Sequence, residues 1–290
     1  VSEAPLPRSW LYVPASRPEL FPKALAGPAE AVILDLEDAV PPHAKVAARN
    51  GLAALLDLPR GKPVWVRANH PATPWGEADV AALAELPVDG VRLPKSENPE
   101  LVAEVAGRLR RPVHLLLESA LGVENALDLA RSSTWVTGIA LGEADLLADL
   151  GATEAGALGY ARGRVVSAAR AAGLAGPIMS VYTALDDLDG LRADTRAARA
   201  VGFFGRAVVH PRQVPIVNDA FTPTEAEVRA ALRIVETMRS AEDAGVGAQV
   251  DASGRFVDPA VAHQARLVLA LAERDSLRTP PTADHPEDPS

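Results

Sequence analysis

Two acids each stand just beyond a short apolar run. Glu118 follows Val-His-Leu-Leu-Leu at 113–117, and Asp145 follows Val-Thr-Gly-Ile-Ala-Leu at 136–141 through Gly142-Glu-Ala. If the two runs are neighbouring β-strands, both carboxylates leave the sheet at the same end. The chain has no cysteine, so no thiolate competes with them. Hard oxygen ligands of this kind suit a hard divalent cation such as Mg²⁺. The plainer alternatives are an acid favoured by a helix N-terminal dipole for Glu118 and a helix N-cap for Asp145.

Other polar residues fall at corresponding positions. Arg67 ends the apolar run 64–68, where a charge needs a partner. Its planar fork suits a substrate carboxylate; an internal ion pair with Glu37 or Asp38 is the alternative. Glu37 and Asp38 follow the run 31–36 and are expected to reach the waters of a bound metal or to hold its ligands. Lys95 and His210 follow two further runs and are divided between ligand contact and structural hydrogen bonding. Arg17 follows a Pro-Ala-Ser turn and is read as a holder of phosphate or carboxylate. Ser16, Asn69, Glu97, Tyr182 and Thr183 complete the set of polar residues past strand ends. The tryptophans read as packing rather than as stacking platforms.

The elements that must position these residues alternate. Strand-like runs at 10–13, 31–36, 64–68, 90–93, 113–117, 136–141, 177–180 and 206–209 are separated by Ala-rich segments at helical spacing, such as 98–109, 155–172 and 188–201. Continuous apolar strands imply burial on both faces and hence a parallel sheet. Eight such βα units predict an α/β fold of the (β/α)8 TIM-barrel type over residues 1–221, with its active site at the C-terminal strand ends. No G-x-G-x-x-G follows the first run, which disfavours a dinucleotide-binding open sheet. Residues 222–275 read as a C-terminal helical arm or lid too small for its own core. It holds a helix over 222–244 opened by Thr222-Pro223, and another from 259 to about 274. The Pro- and acid-rich end, 276–290, reads as a disordered tail.

Composition narrows the function classes. The net charge of −9 argues against general nucleic-acid binding, while leaving room for a local basic pocket. The absence of cysteine removes disulfides and a thiol nucleophile and fits a cytoplasmic protein. No apolar run of about 18 residues predicts a membrane-spanning helix, and no signal peptide is expected.

Several segments together resemble a known family. Arg8-Ser-Trp-Leu-Tyr-Val-Pro-Ala-Ser-Arg17-Pro-Glu, Ala31-Val-Ile-Leu-Asp-Leu-Glu37-Asp38-Ala-Val, Val64-Trp-Val-Arg67-Ala-Asn69, Leu93-Pro-Lys95-Ser-Glu97 and Val208-Val-His210-Pro-Arg-Gln are similar to the citrate lyase beta subunit and its stand-alone relatives, of the HpcH/HpaI aldolase superfamily. The resemblance runs from about Arg8 to Ala270. It implies Mg²⁺ bound by Glu118 and Asp145, and a substrate carboxylate on Arg67. It also implies that Asp258, in the arm, reaches a neighbouring subunit's site, which makes it the candidate for the general acid that an enolate would need. The implied activity is Mg²⁺-dependent carbon–carbon cleavage of a 3-hydroxyacyl thioester. Citryl-CoA, giving acetyl-CoA and oxaloacetate, is the representative substrate; malyl- and citramalyl-CoA are the others. The implied partners are an acyl-CoA or acyl-carrier thioester, copies of the chain in a trimer or hexamer, and the other subunits of a citrate lyase complex. A metal aldolase on free 2-keto acids and a non-catalytic lyase subunit are the rival readings. Two departures stand out: Glu118-Ser-Ala-Leu121-Gly replaces the family's Glu-Thr-Ala-Arg-Gly, and Gly142-Glu-Ala-Asp145-Leu replaces Gly-Ala-Glu-Asp-Leu. Both keep the two acids, whereas the loss of arginine at Leu121 weakens the carry-over of the family's substrate choice.

Overall fold

The computed structural model describes residues 6–251 and 254–278. Seven strands form one sheet: β1 (Ser9–Pro14), β2 (Ala31–Asp35), β3 (Val64–Arg67), β4 (Gly90–Leu93), β5 (Val113–Leu117), β6 (Val136–Leu141) and β7 (Arg206–Val208). Their order is β6-β5-β4-β3-β2-β1-β7, and every pairing is parallel. The helices between them are α1 (Phe21–Ala26), α2 (Lys45–Gly51), α3 (Gly76–Glu85), α4 (Pro99–Leu109), α5 (Ala120–Glu124), α6 (Ala126–Arg131), α7 (Glu143–Asp149), α8 (Gly159–Ala171), α9 (Leu188–Ala200) and α10 (Val214–Phe221). Every residue of β2, β4 and β5 is buried, as a parallel sheet covered on both faces requires.

The two faces of the sheet differ. Val32, Leu34, Val64, Val66, Leu115 and Leu117 join the main core, which the helices share. Alternate residues of the same strands, Ile33, Trp65 and Leu116, form a second cluster with Trp10, Ala140 and Ile178. The period of two along a strand produces this division. Trp10 and Trp65 meet edge to face at 5.5 Å, and His114 lies against Trp65 at 4.0 Å. Gly90 is required here, because a Cβ on it would come within 2.4 Å of the Trp65 ring.

The expected strand at 177–180 does not form. The segment contributes two isolated parallel bridges, Ala140↔Ile178 and Met179↔Arg206, which link it to β6 on one side and β7 on the other. Toward β6 the one backbone bond is Ile178 N to Ile139 O at 3.3 Å, whereas toward β7 Met179 both donates to Gly205 O and accepts from Ala207 N. Pro177 has no N–H to extend the ladder. The observed fold is therefore α/β with a curled seven-stranded parallel sheet, in place of eight full strands.

Residues Leu6–Phe221 form one compact unit and a second begins at Thr222. The second unit comprises α11 (Glu225–Asp243), a two-stranded antiparallel hairpin of β8 (Gln249–Val250) and β9 (Phe256–Val257), and α12 (Pro259–Arg278). Ala231, Ile234, Met238 and Ala241 of α11 pack with Val257, Ala262 and Ala265, so the segment has a small apolar cluster of its own. Helix α11 begins later than expected. Thr224 is the N-cap, and a reciprocal capping box joins it to Glu227. The tail expected at 276–290 lies outside the described residues from 279 onward, and 276–278 belong to the last turn of α12.

Candidate metal and substrate site

Strand β5 ends at Leu117, and Ser119 caps α5 by accepting a hydrogen bond from Gly122 N at 3.1 Å. Glu118 is caught between the two. Its side chain turns inward and is 4% exposed. One oxygen, Oε1, accepts from Lys95 N at 3.1 Å. The other, Oε2, is buried with no hydrogen-bond partner. Lys95 holds its amide in this direction from a left-handed backbone (φ 49°), a conformation uncommon outside glycine. Asp145 lies in the first turn of α7 and is exposed. Burial, and then the neighbouring Asp145 carboxyl, push the Glu118 pKa up to about 8. Gly142 leaves room for this arrangement; a Cβ there would lie 2.5 Å from Glu118 Cγ.

Arg67 closes β3 opposite this pair. It forks onto Asp35, with Nε to Oδ1 at 2.7 Å and Nη2 to Oδ2 at 2.6 Å. Nη1 reaches Asp38 Oδ2 at 3.0 Å. Glu37 Oε2 is 2.8 Å from the same nitrogen but is not aligned for a hydrogen bond. Glu37 Oε1 takes Lys95 Nζ at 2.5 Å. Burial opposes the Arg67 charge, but hydrogen bonding and attraction from Asp35 outweigh it and raise its pKa. Burial raises the Glu37 pKa, with Arg67 and Lys95 pulling the other way.

A cavity of about 460 Å³ collects Glu118, Asp145, Arg67, Asp35 and Asp38 at the C-terminal strand ends. Sequence reasoning missed three of its charged residues. Asp35 is the principal partner of Arg67, and its signal was a charge inside an apolar strand. Arg92 on β4, 2% exposed, donates from Nη1 to Tyr12 OH at 3.0 Å. Glu143 lines the cavity and is held by Arg162 through bonds of 2.7 and 3.0 Å. Five carboxyl groups thus face two guanidiniums in the lining; Arg162 offsets one of the five from outside, and Glu118 holds its proton up to about pH 8. The remaining negative excess suits a divalent cation. Among the described residues no group of three or more His, Asp or Glu side chains could hold a metal. The protein can therefore supply two carboxylates, and water or substrate must fill the other positions. Mg²⁺ tolerates that arrangement, since it usually keeps several waters.

The remaining expected residues lie elsewhere. Lys95 lines a separate cavity of about 110 Å³ with His70 and Glu97, and touches the main site through Glu37 and its own amide. Arg17 is exposed, pairs with Glu19 and is not among the residues lining the main cavity. His210 caps a 3-10 turn, accepting from Arg212 N at 3.2 Å, which is the structural alternative. Asn69 is buried and bound to Asp79 Oδ2 and Leu36 O. Tyr182 donates to Asp187 at 2.6 Å. Asp258 belongs to the second unit, where Oδ1 accepts from Val261 N at 2.9 Å at the start of α12. Leu121, the site of one departure, is exposed on α5.

Parallel strands that deliver acids and guanidiniums to one cavity from their C-terminal ends define the α/β class whose ligands bind beyond the strand ends. The chain belongs to the HpcH/HpaI aldolase/citrate lyase family, whose profile matches residues 8–211. It is 33% identical to citrate lyase subunit beta of Leuconostoc mesenteroides, over 94% of this chain and 95% of that protein. It is 37% identical to a (3S)-malyl-CoA thioesterase of Cereibacter sphaeroides, over 92% and 94%. Among solved structures, it is similar to Mycobacterium tuberculosis CitE in complex with magnesium, acetoacetate and coenzyme A. That comparison has a TM-score of 0.80 and 35% identity, and covers 92% of this chain and 98% of that one. A citrate lyase beta subunit of M. tuberculosis with oxaloacetate and magnesium aligns at TM-score 0.67 and 36% identity, covering 74% and 97%. Among the described residues no helix is long and apolar enough to cross a membrane.

Proposed function

We propose that this protein is a Mg²⁺-dependent lyase that breaks a carbon–carbon bond in a 3-hydroxyacyl thioester, releasing an acetyl-type thioester and a 2-oxo acid. The observation that carries the reading is the buried Glu118 Oε2, without a hydrogen-bond partner, beside Asp145 in a cavity that also presents Arg67. Two acids held this close, one of them buried, are costly unless a proton or a cation lies between them. The relatives with magnesium and with coenzyme A support the same reading. We read the curled sheet as a (β/α)8 barrel whose seventh strand is reduced to the bridges at Ile178 and Met179.

The chemistry divides among named residues. Glu118 and Asp145 would hold the Mg²⁺, which when bound polarises the substrate hydroxyl and carboxylate and eases loss of the hydroxyl proton. Arg67 is locked by Asp35, and its free capacity is the edge now shared with Asp38. The Asp38 side chain is 60% exposed, so a substrate carboxylate can displace it at low cost. Glu37 ties Arg67 to Lys95 and keeps both in place. As the hydroxyl proton passes to water at the cavity mouth, the adjacent C–C bond breaks. The oxygen becomes a ketone, and the bond's electron pair passes to the thioester as an enolate. A general acid then protonates the enolate carbon, and Asp258 is assigned that role from a neighbouring subunit of a homo-oligomer.

A second reading is hydrolysis of the thioester, favoured by the 37% identity to a malyl-CoA thioesterase. A panel of malyl-, citramalyl- and citryl-CoA assayed with and without Mg²⁺ separates the two. Cleavage yields acetyl-CoA and a 2-oxo acid, whereas hydrolysis yields free CoA thiol.

A further inference from the structure

Arg92 is a buried cation that the proposed chemistry leaves unused. It is 2% exposed, and no carboxylate lies within ion-pair distance of it among the described residues. Nη1 is bound to Tyr12 OH at 3.0 Å, while Nη2 is buried with no partner. The Trp10 and Tyr12 rings flank the guanidinium at 6.0 and 5.9 Å. These rings stabilise a cation but do not neutralise it. The group lines the same cavity as Glu118 and Asp145.

Register fixes its depth. Arg92 is level with Arg67 on β3 and with His114 on β5. Glu118 lies four residues beyond His114 along β5, so Arg92 starts two inward-facing positions below the carboxylate pair. Leu116 and Ala140 line the same cavity, and His114 is kept neutral by burial and by the Arg92 charge. The cavity wall at this level is apolar apart from Arg92, Tyr12 and the paired Arg67 and Asp35. Arg67, by contrast, already has its fork filled by Asp35.

A cavity of about 460 Å³ cannot enclose an acyl group and a coenzyme A tail together. The tail must leave by the mouth, and the far end of the acyl group faces the floor. We propose that Arg92 is a specificity-determining residue that binds a second carboxylate on the 2-oxo acid half of the substrate. This selects dicarboxylic over monocarboxylic 2-oxo acids. The inference rests on the metal-site reading above, because the first carboxylate must be held at Glu118, Asp145 and Arg67 for the second to reach the floor. Tyr12 OH, oriented by Arg92, is free to donate to the same carboxylate.

Calorimetric binding of oxaloacetate and pyruvate, with and without Mg²⁺, tests this without turnover. The two ligands differ by one carboxylate. The wild-type protein is expected to bind oxaloacetate at least about tenfold more tightly than pyruvate in the presence of Mg²⁺, the scale of one charge-assisted bidentate contact. Arg92→Met should bring that ratio close to one, and Arg92→Lys should give an intermediate value. Equal wild-type affinities overturn the inference, as does an oxaloacetate preference that survives in Arg92→Met. Mg²⁺-dependent pyruvate binding without the dicarboxylate preference refutes the role of Arg92 alone. Absence of Mg²⁺-dependent binding of either acid refutes the metal-site reading and this inference with it. If Arg92→Met does not fold, the wild-type ratio and Arg92→Lys decide the question.

Discussion

Glu118 should make Mg²⁺ binding strongly pH-dependent. Burial and Asp145 raise its pKa to about 8 in the metal-free fold. A carboxylate must lose its proton to bind a metal. Its ionised fraction is then about 1% at pH 6, about 10% at pH 7 and about half at pH 8. Mg²⁺ affinity should rise roughly tenfold per pH unit below 8, about fiftyfold from pH 6 to pH 8, and level off above that. Titration calorimetry in two buffers of different ionisation enthalpy reads both affinity and proton release. Close to one proton per Mg²⁺ is expected at pH 6 to 7, declining above pH 8. Stability carries the same signature with the opposite sign. The folded pKa lies above the unfolded value of 4.5, so the folded protein keeps a proton that the unfolded chain has lost. This contribution is fully present below about pH 4.5 and is lost as pH rises through about 8, a swing on the order of several kcal/mol. The thermal midpoint gained on adding Mg²⁺ should therefore grow from pH 6 to pH 8. A pH-independent affinity with no proton release would show that Glu118 is not a ligand.

Other residues give independent checks. Gly142→Ala places a methyl 2.5 Å from Glu118 Cγ and should cut Mg²⁺ affinity at least about tenfold; unchanged calorimetric binding contradicts the packing argument. Arg67→Lys loses the fork onto Asp35 and should lower kcat/KM by about 100-fold or more while circular dichroism shows the fold retained; kinetics within a factor of two would remove Arg67 from the substrate site. Asp194→Ala strips Arg206, which is 1% exposed, of its ion partner at 2.7 Å and should cost about 3 to 5 kcal/mol in urea unfolding; a loss under 1 kcal/mol would mean that Arg206 finds another partner. Asp258→Asn subunits mixed with Glu118→Gln subunits should recover part of the lyase activity if sites are shared. No recovery, despite demonstrated subunit exchange, removes Asp258 from the neighbour's site.

The sheet was largely legible because parallel strands buried on both faces are written as unbroken apolar runs. β4, β5 and β6 match their expected spans, β2, β3 and β7 end one residue earlier than expected, and β1 extends one residue further at each end. The run at 177–180 has the same composition but forms bridges only, a hydrogen-bonding outcome that hydrophobicity does not encode. The second unit's first helix was expected to open at Thr222-Pro223, whereas the capping box forms between Thr224 and Glu227. In the site, Glu118 and Asp145 were visible because they stand past strand ends. Asp35 and Arg92 were hidden because they lie inside apolar runs, where the sequence does not say which alternate residues face the cavity. Both are charges that interrupt such a run, as Arg67 is, and that shared oddity was the available signal. Arg17 and His210 had the right spacing, but local partners take up their polar groups.

The most direct test of the central claim follows citryl-CoA with purified protein, monitoring acetyl-CoA, oxaloacetate and free CoA thiol together with and without Mg²⁺. The expected result is equimolar acetyl-CoA and oxaloacetate, dependent on Mg²⁺ and abolished in Glu118→Gln, with no thiol released. Thiol release without carbon–carbon cleavage, or cleavage that continues in metal-free buffer, would contradict it.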